Sequence, residues 1–266
     1  MHRVHLLGHS HGGFVAQFHA PHRPDQVAGV VLYESDLVTG GEFGEEMMCR
    51  VGEFAARHAD RQELQEVMEA FASIPGISDD EAMVSVARGI VPAYVADYWA
   101  DAQRWGELQE ALRATYISGR DEHGEPDLVD DREVLDALRV PTLVVAGSQD
   151  VVCGVRWAEE LHKLIPASQL LILERSGHFG HLEEPEVLKR RPCPPHQWRP
   201  DPPHVMREPF REPAHQALPF PTPQPRYCYR AAKTGPRAFP RAAVQHSRPR
   251  RAELGHEPGP SPVVTP

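Results

Sequence analysis

Short apolar runs and longer stretches of helical spacing alternate along the chain. Four runs stand out: Val4 to Leu7, Val27 to Tyr33, Thr142 to Ala146 and Leu170 to Leu173. They are brief, rich in Val, Leu and Ile, and continuous rather than alternating, which is the signature of parallel strands buried on both faces. Between them, Leu64, Val67, Met68 and Phe71 fall at i, i+3, i+4 and i+7, so one helix buries a stripe. Val155, Ala158, Leu161 and Ile165 also recur at helical spacing. Ser78-Asp79-Asp80-Glu81 predicts a capped helix start, and Pro92 predicts the first turn of a further helix carrying Tyr94, Tyr98 and Trp99. The expected fold class is α/β, with about four parallel strands flanked by helices and a helical insertion after the second strand.

Composition then divides the chain. Residues 1–41 and 131–191 form the strand-bearing core, 42–130 a helical cap, and 192–266 a tail that holds 19 of the 27 prolines. Leu, Ile, Val and Phe make up only 9 of its 75 residues, too few to offset the entropy of ordering, so the tail is expected to be disordered. It carries 11 Lys and Arg against 5 Asp and Glu, in a chain whose net charge is −10. The remaining body is strongly acidic, which argues against nucleic acid as a partner. Cys49, Cys153, Cys193 and Cys228 match no zinc or redox spacing. With no signal peptide and no apolar run long enough to span a membrane, a cytoplasmic location away from membranes is expected.

Candidate chemistry begins at Leu7-Gly8-His9-Ser10-His11-Gly12-Gly13, directly after the first apolar run. A G-x-S-x-G pattern between strand and helix forces a sharp turn, with Gly8 and Gly12 expected to permit close backbone approach. Ser10 then stands above the sheet as a candidate nucleophile. A serine hydroxyl is weakly nucleophilic at neutral pH and needs a base, which in turn needs an orienting acid. Ser148-Gln149-Asp150 follows the third run and Ser176-Gly177-His178 the fourth, which places Asp150 as the acid and His178 as the base. Glu34 and Asp36, after the second run, are alternative acids, and His181 is an alternative base. The backbone N–H of His11, the residue after the nucleophile, is a candidate oxyanion-hole donor. His5, His9 and His11 cluster without neighbouring carboxylates in sequence, so no metal and no cofactor is expected.

Together with Pro24-Asp25-Gln26-Val27-Ala28-Gly29-Val30-Val31-Leu32-Tyr33, Gly147-Ser148-Gln149-Asp150 and Ser176-Gly177-His178-Phe179-Gly180-His181-Leu182-Glu183-Glu184-Pro185, these motifs resemble the prolyl aminopeptidases (proline iminopeptidases) of the α/β-hydrolase superfamily. The resemblance covers residues 3 to about 187. It implies a serine hydrolase that releases N-terminal proline or small residues through an acyl-enzyme on Ser10, acting on a small molecule or short peptide. It also implies a cap whose acids receive the substrate's free amine, with Glu45, Glu46, Glu53, Asp97 and Asp101 as candidates. A carboxylesterase on the same triad is the alternative, and an inactive fragment is another. Such relatives carry several strands and a His-Gly-Gly loop before the elbow, whereas nine residues precede Ser10 here. The expectation is therefore the second half of such an enzyme, impaired in one oxyanion donor and suited to an N-terminal complementing segment as partner.

Overall fold

The computed structural model describes residues 3–121 and 123–190, together with the backbone of 205–207. All belong to one compact unit, Met1–Ala217. The expectation for the rest of the tail lies outside the described residues.

All four apolar runs form strands: β1 (Val4–His9), β2 (Val27–Tyr33), β3 (Thr142–Gly147) and β4 (Ser168–Leu173). They pair in parallel in sequence order, with Leu7 opposite Val31, Val31 opposite Leu143, and Val144 opposite Leu170. Side chains alternate strictly between the two faces. Val30, Leu32, Val144, Ala146, Leu170 and Ile172 pack into one core with Ala16 and Ala20 of α1 (His11–His22) and Trp157 and Leu161 of α7 (Val155–Leu164). Val31, Tyr33, Leu143, Val145, Leu171 and Leu173 pack on the other side, against Val187 and Leu188 of α9 (Pro185–Lys189). Burial on both faces explains why β2, β3 and β4 read as continuous apolar runs, whereas β1 is apolar but largely exposed.

The sheet has five strands rather than four. β5 (Val205–Arg207), a three-residue strand from the proline-rich segment, pairs in parallel with β4 and satisfies part of its open edge. At the opposite edge lies β1, where Val4, Leu7, Val15 and Phe18 of β1 and α1 are exposed.

The insertion between β2 and β3 is helical, as expected: α2 (Gly41–Arg57), α3 (Leu64–Ala72), α4 (Asp80–Tyr94) and α5 (Ala102–Ala111), followed by the short α6 (Arg132–Leu135). Val51, Phe54, Val67, Phe71 and Ile90 form its own small core, and Val151, next to the candidate acid, joins it. Two local expectations are corrected. The N-cap of α4 is Asp79, whose side chain accepts from the Ala82 amide at 2.8 Å, rather than Ser78. Pro92 lies near the end of α4 instead of opening a new helix. A proline there leaves the carbonyl four residues earlier without its donor. Gln109 of α5 supplies the replacement, donating from Nε2 to the Arg88 carbonyl at 2.7 Å.

The glycines of the elbow also sort differently from the sequence reading. A Cβ at Gly8 would overlap the Gly12 carbonyl, so Gly8 is sterically required. A Cβ at Gly12 would meet nothing within 4 Å, whereas one at Gly13 would overlap Ser35 Oγ at the end of β2. The close approach is therefore between α1 and the segment after β2, one residue later than the motif suggests. Gly13→Ala should cost about 1–3 kcal/mol of stability through overpacking, while Gly12→Ala should be neutral or slightly stabilising. Thermal denaturation followed by circular dichroism separates the two. Equal effects of the two substitutions would refute this packing account.

Candidate active site

The carboxyl ends of the parallel strands bring the candidate residues to one end of the sheet. Ser10 follows β1 with φ 53° and ψ −124°, a left-handed backbone uncommon for a residue with a side chain. The strain is held by its amide, which donates to the Tyr33 carbonyl at 3.0 Å and to the Glu34 carbonyl at 3.1 Å. Ser10 is the N-cap of α1 but makes no side-chain capping bond, which leaves Oγ uncommitted. Its hydroxyl forms no hydrogen bond to His178 among the described residues. The His11 amide, at the first position of α1, belongs to the unpaired donors of the helix start.

Asp150 and His178 are brought together. Nδ1 of His178 donates to Asp150 Oδ2 at 2.8 Å, and both residues are buried. The other carboxylate oxygen, Oδ1, accepts from the Val152 and Cys153 amides at 2.8 and 3.0 Å. That geometry assigns the Nδ1–H tautomer and leaves Nε2 as the acceptor of the ring. The His178 amide donates to the Tyr94 carbonyl at 2.6 Å, so the end of α4 in the insertion holds the base loop from above. Burial pulls the imidazole's pKa down, but the Asp150 carboxylate, with Glu34 and Asp36 further off, overcomes this and holds it above the ordinary histidine value.

The alternative residues find other partners. Asp36 accepts from the buried Cys153 thiol, Sγ to Oδ2 at 3.2 Å, and its backbone carbonyl accepts from Gln17 Nε2 at 2.6 Å. Burial lifts its carboxyl from 3.8 to about 7, and the thiol donor only partly opposes this. Glu34 accepts from the Gly180 amide at 3.0 Å and faces His9. His181 faces the Tyr33 hydroxyl, 3.1 Å from its Nδ1, and has no carboxylate partner among the described residues. Burial lowers its pKa.

Three bracing residues escaped the sequence reading. Glu183 accepts from the Ala96 and Gly177 amides at 2.6 and 2.8 Å, and Glu184 accepts from the Arg175 amide and the Ser176 hydroxyl, both at 2.8 Å. Tyr33 accepts from the His181 amide at 2.6 Å. The run Glu183-Glu184-Pro185 was the available signal: two carboxylates just after a candidate base can turn back onto its loop.

Of the five candidate amine-receiving acids, Glu46 pairs with Arg50 at 3.2 Å and Arg156 at 3.6 Å, and Glu53 pairs with Arg50 at 3.1 Å. Asp97 and Asp101 accept from the backbone amides of Ala100 and Arg104. Glu45 is exposed on α2. Two residue groups have ligand atoms close enough for a metal ion, His9 with Glu34 and His178, and Asp150 with Cys153 and His178, each within 4.8 Å. Both draw on His178, and burial holds the Cys153 thiol well above its ordinary pKa, in the protonated form that binds metals poorly.

A strained serine thus follows one parallel strand, and a carboxylate–imidazole pair follows two others. The family model described as the alpha/beta hydrolase family matches residues 1–191, and the chain belongs to that family. Among curated proteins, it is 27% identical over 193 residues to a putative 2-succinyl-6-hydroxy-2,4-cyclohexadiene-1-carboxylate synthase of Bacillus subtilis, covering 71% of this chain and 64% of that protein. It is also 27% identical over 204 residues to a pimeloyl-[acyl-carrier protein] methyl ester esterase of Neisseria meningitidis, covering 70% of this chain and 78% of that protein. The chain thus spans less than two thirds of the Bacillus protein's length. Among solved structures, an esterase from Exiguobacterium antarcticum aligns with a TM-score of 0.46 and 20% identity, over 71% of this chain and 64% of that one.

Asp36 gives the site a testable pH signature. A carboxyl whose pKa is higher folded than unfolded binds more protons in the folded state, so stability falls as pH rises between the two values. The fall should run from near 3.8 to about 7. Asp36→Asn, which keeps an acceptor for Cys153, should raise the unfolding midpoint at about pH 8, roughly one unit above the folded value, and leave it unchanged near pH 4. Thermal melts across that range check it, and parallel profiles for the two proteins would contradict the assignment.

Proposed function

We propose that this chain carries the catalytic half-sheet of a serine hydrolase acting on small carboxylic esters. The observation that carries the proposal is the 2.8 Å bond from His178 Nδ1 to the doubly anchored Asp150 carboxylate, at the sheet end where Ser10 occupies its strained turn. In this reading Ser10 Oγ attacks the ester carbonyl carbon while His178 Nε2 takes the hydroxyl proton. The tetrahedral oxyanion receives the His11 amide as one donor. Collapse breaks the bond to the alkoxy oxygen, and His178 returns the proton so that an alcohol leaves. Water then repeats the sequence on the acyl-serine, giving the free acid and restoring Ser10. Asp150 keeps the imidazole in the productive tautomer and stabilises the imidazolium.

Two considerations favour esters over N-terminal proline peptides. One relative carries methyl ester esterase in its name. An aminopeptidase also needs a carboxylate to receive the substrate's ammonium group, and of the five candidates Glu46, Glu53, Asp97 and Asp101 are already engaged by arginines or backbone amides, with only the exposed Glu45 outside such contacts among the described residues. Breaking those contacts would subtract from any affinity for an amine. Prolyl aminopeptidase activity remains the second reading, carried by the motif resemblance alone, because a fold does not by itself choose a substrate.

A short p-nitrophenyl ester and a proline arylamide decide between the two. The ester should turn over faster and the arylamide at no more than a trace rate; the reverse order would establish the aminopeptidase. Ser10→Ala should abolish ester turnover and labelling by a fluorophosphonate. Asp150→Asn should lower kcat by about 10⁴-fold, through loss of the correct tautomer, as the analogous substitution does in chymotrypsin-type proteases. Turnover that survives Ser10→Ala would reject the nucleophile.

A further inference from the structure

His9 and Glu34 take no part in the acyl-transfer steps, yet both touch the base loop. Glu34 is wholly buried and its backbone adopts φ 46°, a left-handed conformation that a side chain disfavours. Its carbonyl accepts from the Ser10 amide at 3.1 Å, while its side chain reaches in the other direction and accepts from the Gly180 amide at 3.0 Å. A single residue thereby links the turn of the nucleophile to the loop of the base. The second carboxylate oxygen lies 3.3 Å from His9 Nε2. That contact is a close approach rather than a hydrogen bond, because Oε2 has no properly aligned donor. The His9 Nε2–H is aimed instead at the His178 carbonyl, 3.0 Å away. The rings of His9 and His178 lie 4.8 Å apart at 38°.

We infer that Glu34 and His9 form a second carboxylate–imidazole pair that positions the base: Glu34 secures His9 and Gly180, and His9, the neighbour of Ser10 in its own turn, secures the main chain of His178. The inference rests on the ester-hydrolase reading. Its physical content is rigidity. Ser10 and His178 lie on different strands and share no side-chain bond, so their relative placement is transmitted through neighbouring groups. Two bonds cross the gap directly, from His9 to the His178 carbonyl and from Glu34 to Gly180, and a displacement of about 1 Å at this point costs about 10²-fold in rate. Burial raises the Glu34 carboxyl above its ordinary value, and in its ionised form it favours the imidazolium of His178. The other titratable groups packed against His178 are Asp150 and Cys153 before α7, Asp36 after β2, Tyr94 of α4, and His181 and Glu183 of its own loop. Each is left intact by substitutions at His9 and Glu34.

The test uses the full chain. His9→Phe keeps the ring and loses the donor, and should lower kcat by about 10- to 100-fold with KM changed less than about twofold. His9→Gln, which restores an N–H donor, should recover part of the loss. Glu34→Gln keeps the acceptor for Gly180 and removes the charge, so the acid limb of the kcat/KM profile should move to lower pH. Unchanged kcat in His9→Phe together with an unmoved acid limb in Glu34→Gln, in proteins with native circular dichroism, would overturn the inference while leaving the ester reading intact, provided Ser10→Ala is inactive. If the unsubstituted chain fails to turn over esters, that reading fails instead, and NMR titration of His178 in isotopically labelled protein still decides. A lower His178 pKa in Glu34→Gln supports the pairing, and an unchanged one overturns it.

Discussion

Buried carboxylates at the end of an apolar sheet impose the constraint on which the site depends. Glu34, Asp36, Asp150 and Glu184 are all buried there, and a charged oxygen removed from water must find donors or take up a proton. Asp150 is the best provided, with two backbone amides on one oxygen and an imidazole on the other. Glu184 has an amide and a hydroxyl. Asp36 has only a thiol for its side chain, and its carboxyl is pushed up to about 7. Ordering the four by donor supply separates an acid fitted to orient an imidazole from one that is neutral over much of the acidic range. Three acids follow strands at this sheet end, and donor supply rather than position distinguishes Asp150.

The same demand for donors builds the base loop. Residues 176–184 contain little apolar anchoring, since the buried side chains there are Ser176, His178 and Glu184. The loop is instead held by acceptors on three sides: Tyr94 of the insertion takes the His178 amide, Glu34 takes Gly180, and Glu183 folds back to Gly177. A network of this kind is directional where hydrophobic packing is not, so it can fix a ring within the tolerance that proton transfer requires. Its cost appears as backbone strain at Ser10 and Glu34, the two described non-glycine residues with positive φ. Both sit where a strand end must turn sharply to deliver a side chain into the cluster.

Much of this arrangement was legible in the chain because it is local. β2, β3 and β4 were visible because burial on both faces demands uninterrupted Val, Leu and Ile, and the pairing of Asp150 with His178 followed from each lying just past such a strand. What sequence could not supply were contacts made across the topology. The demand on Gly13 comes from Ser35, more than twenty residues away, and the tolerance of Pro92 inside α4 depends on Gln109 in the next helix. Glu34 and His9 were visible as chemistry, one as a spare acid and the other as part of a histidine cluster. Their partnership needed the parallel register that sets His9 opposite Tyr33, beside Glu34.

The insertion bears on substrate class through the same accounting. A cap rich in acids reads as a receptor for an amine when only composition is considered. In the folded chain Arg50 lies between Glu46 and Glu53, and Arg156 reaches Glu46 from α7, so Glu46 ties the insertion to the core. Exposed ion pairs of this kind contribute little stability each, but Glu46 is buried, and removing both of its arginines would leave an uncompensated charge. An ammonium substrate would have to compete with a guanidinium already in place. Under the ester-hydrolase proposal, an uncharged substrate meets no such competition.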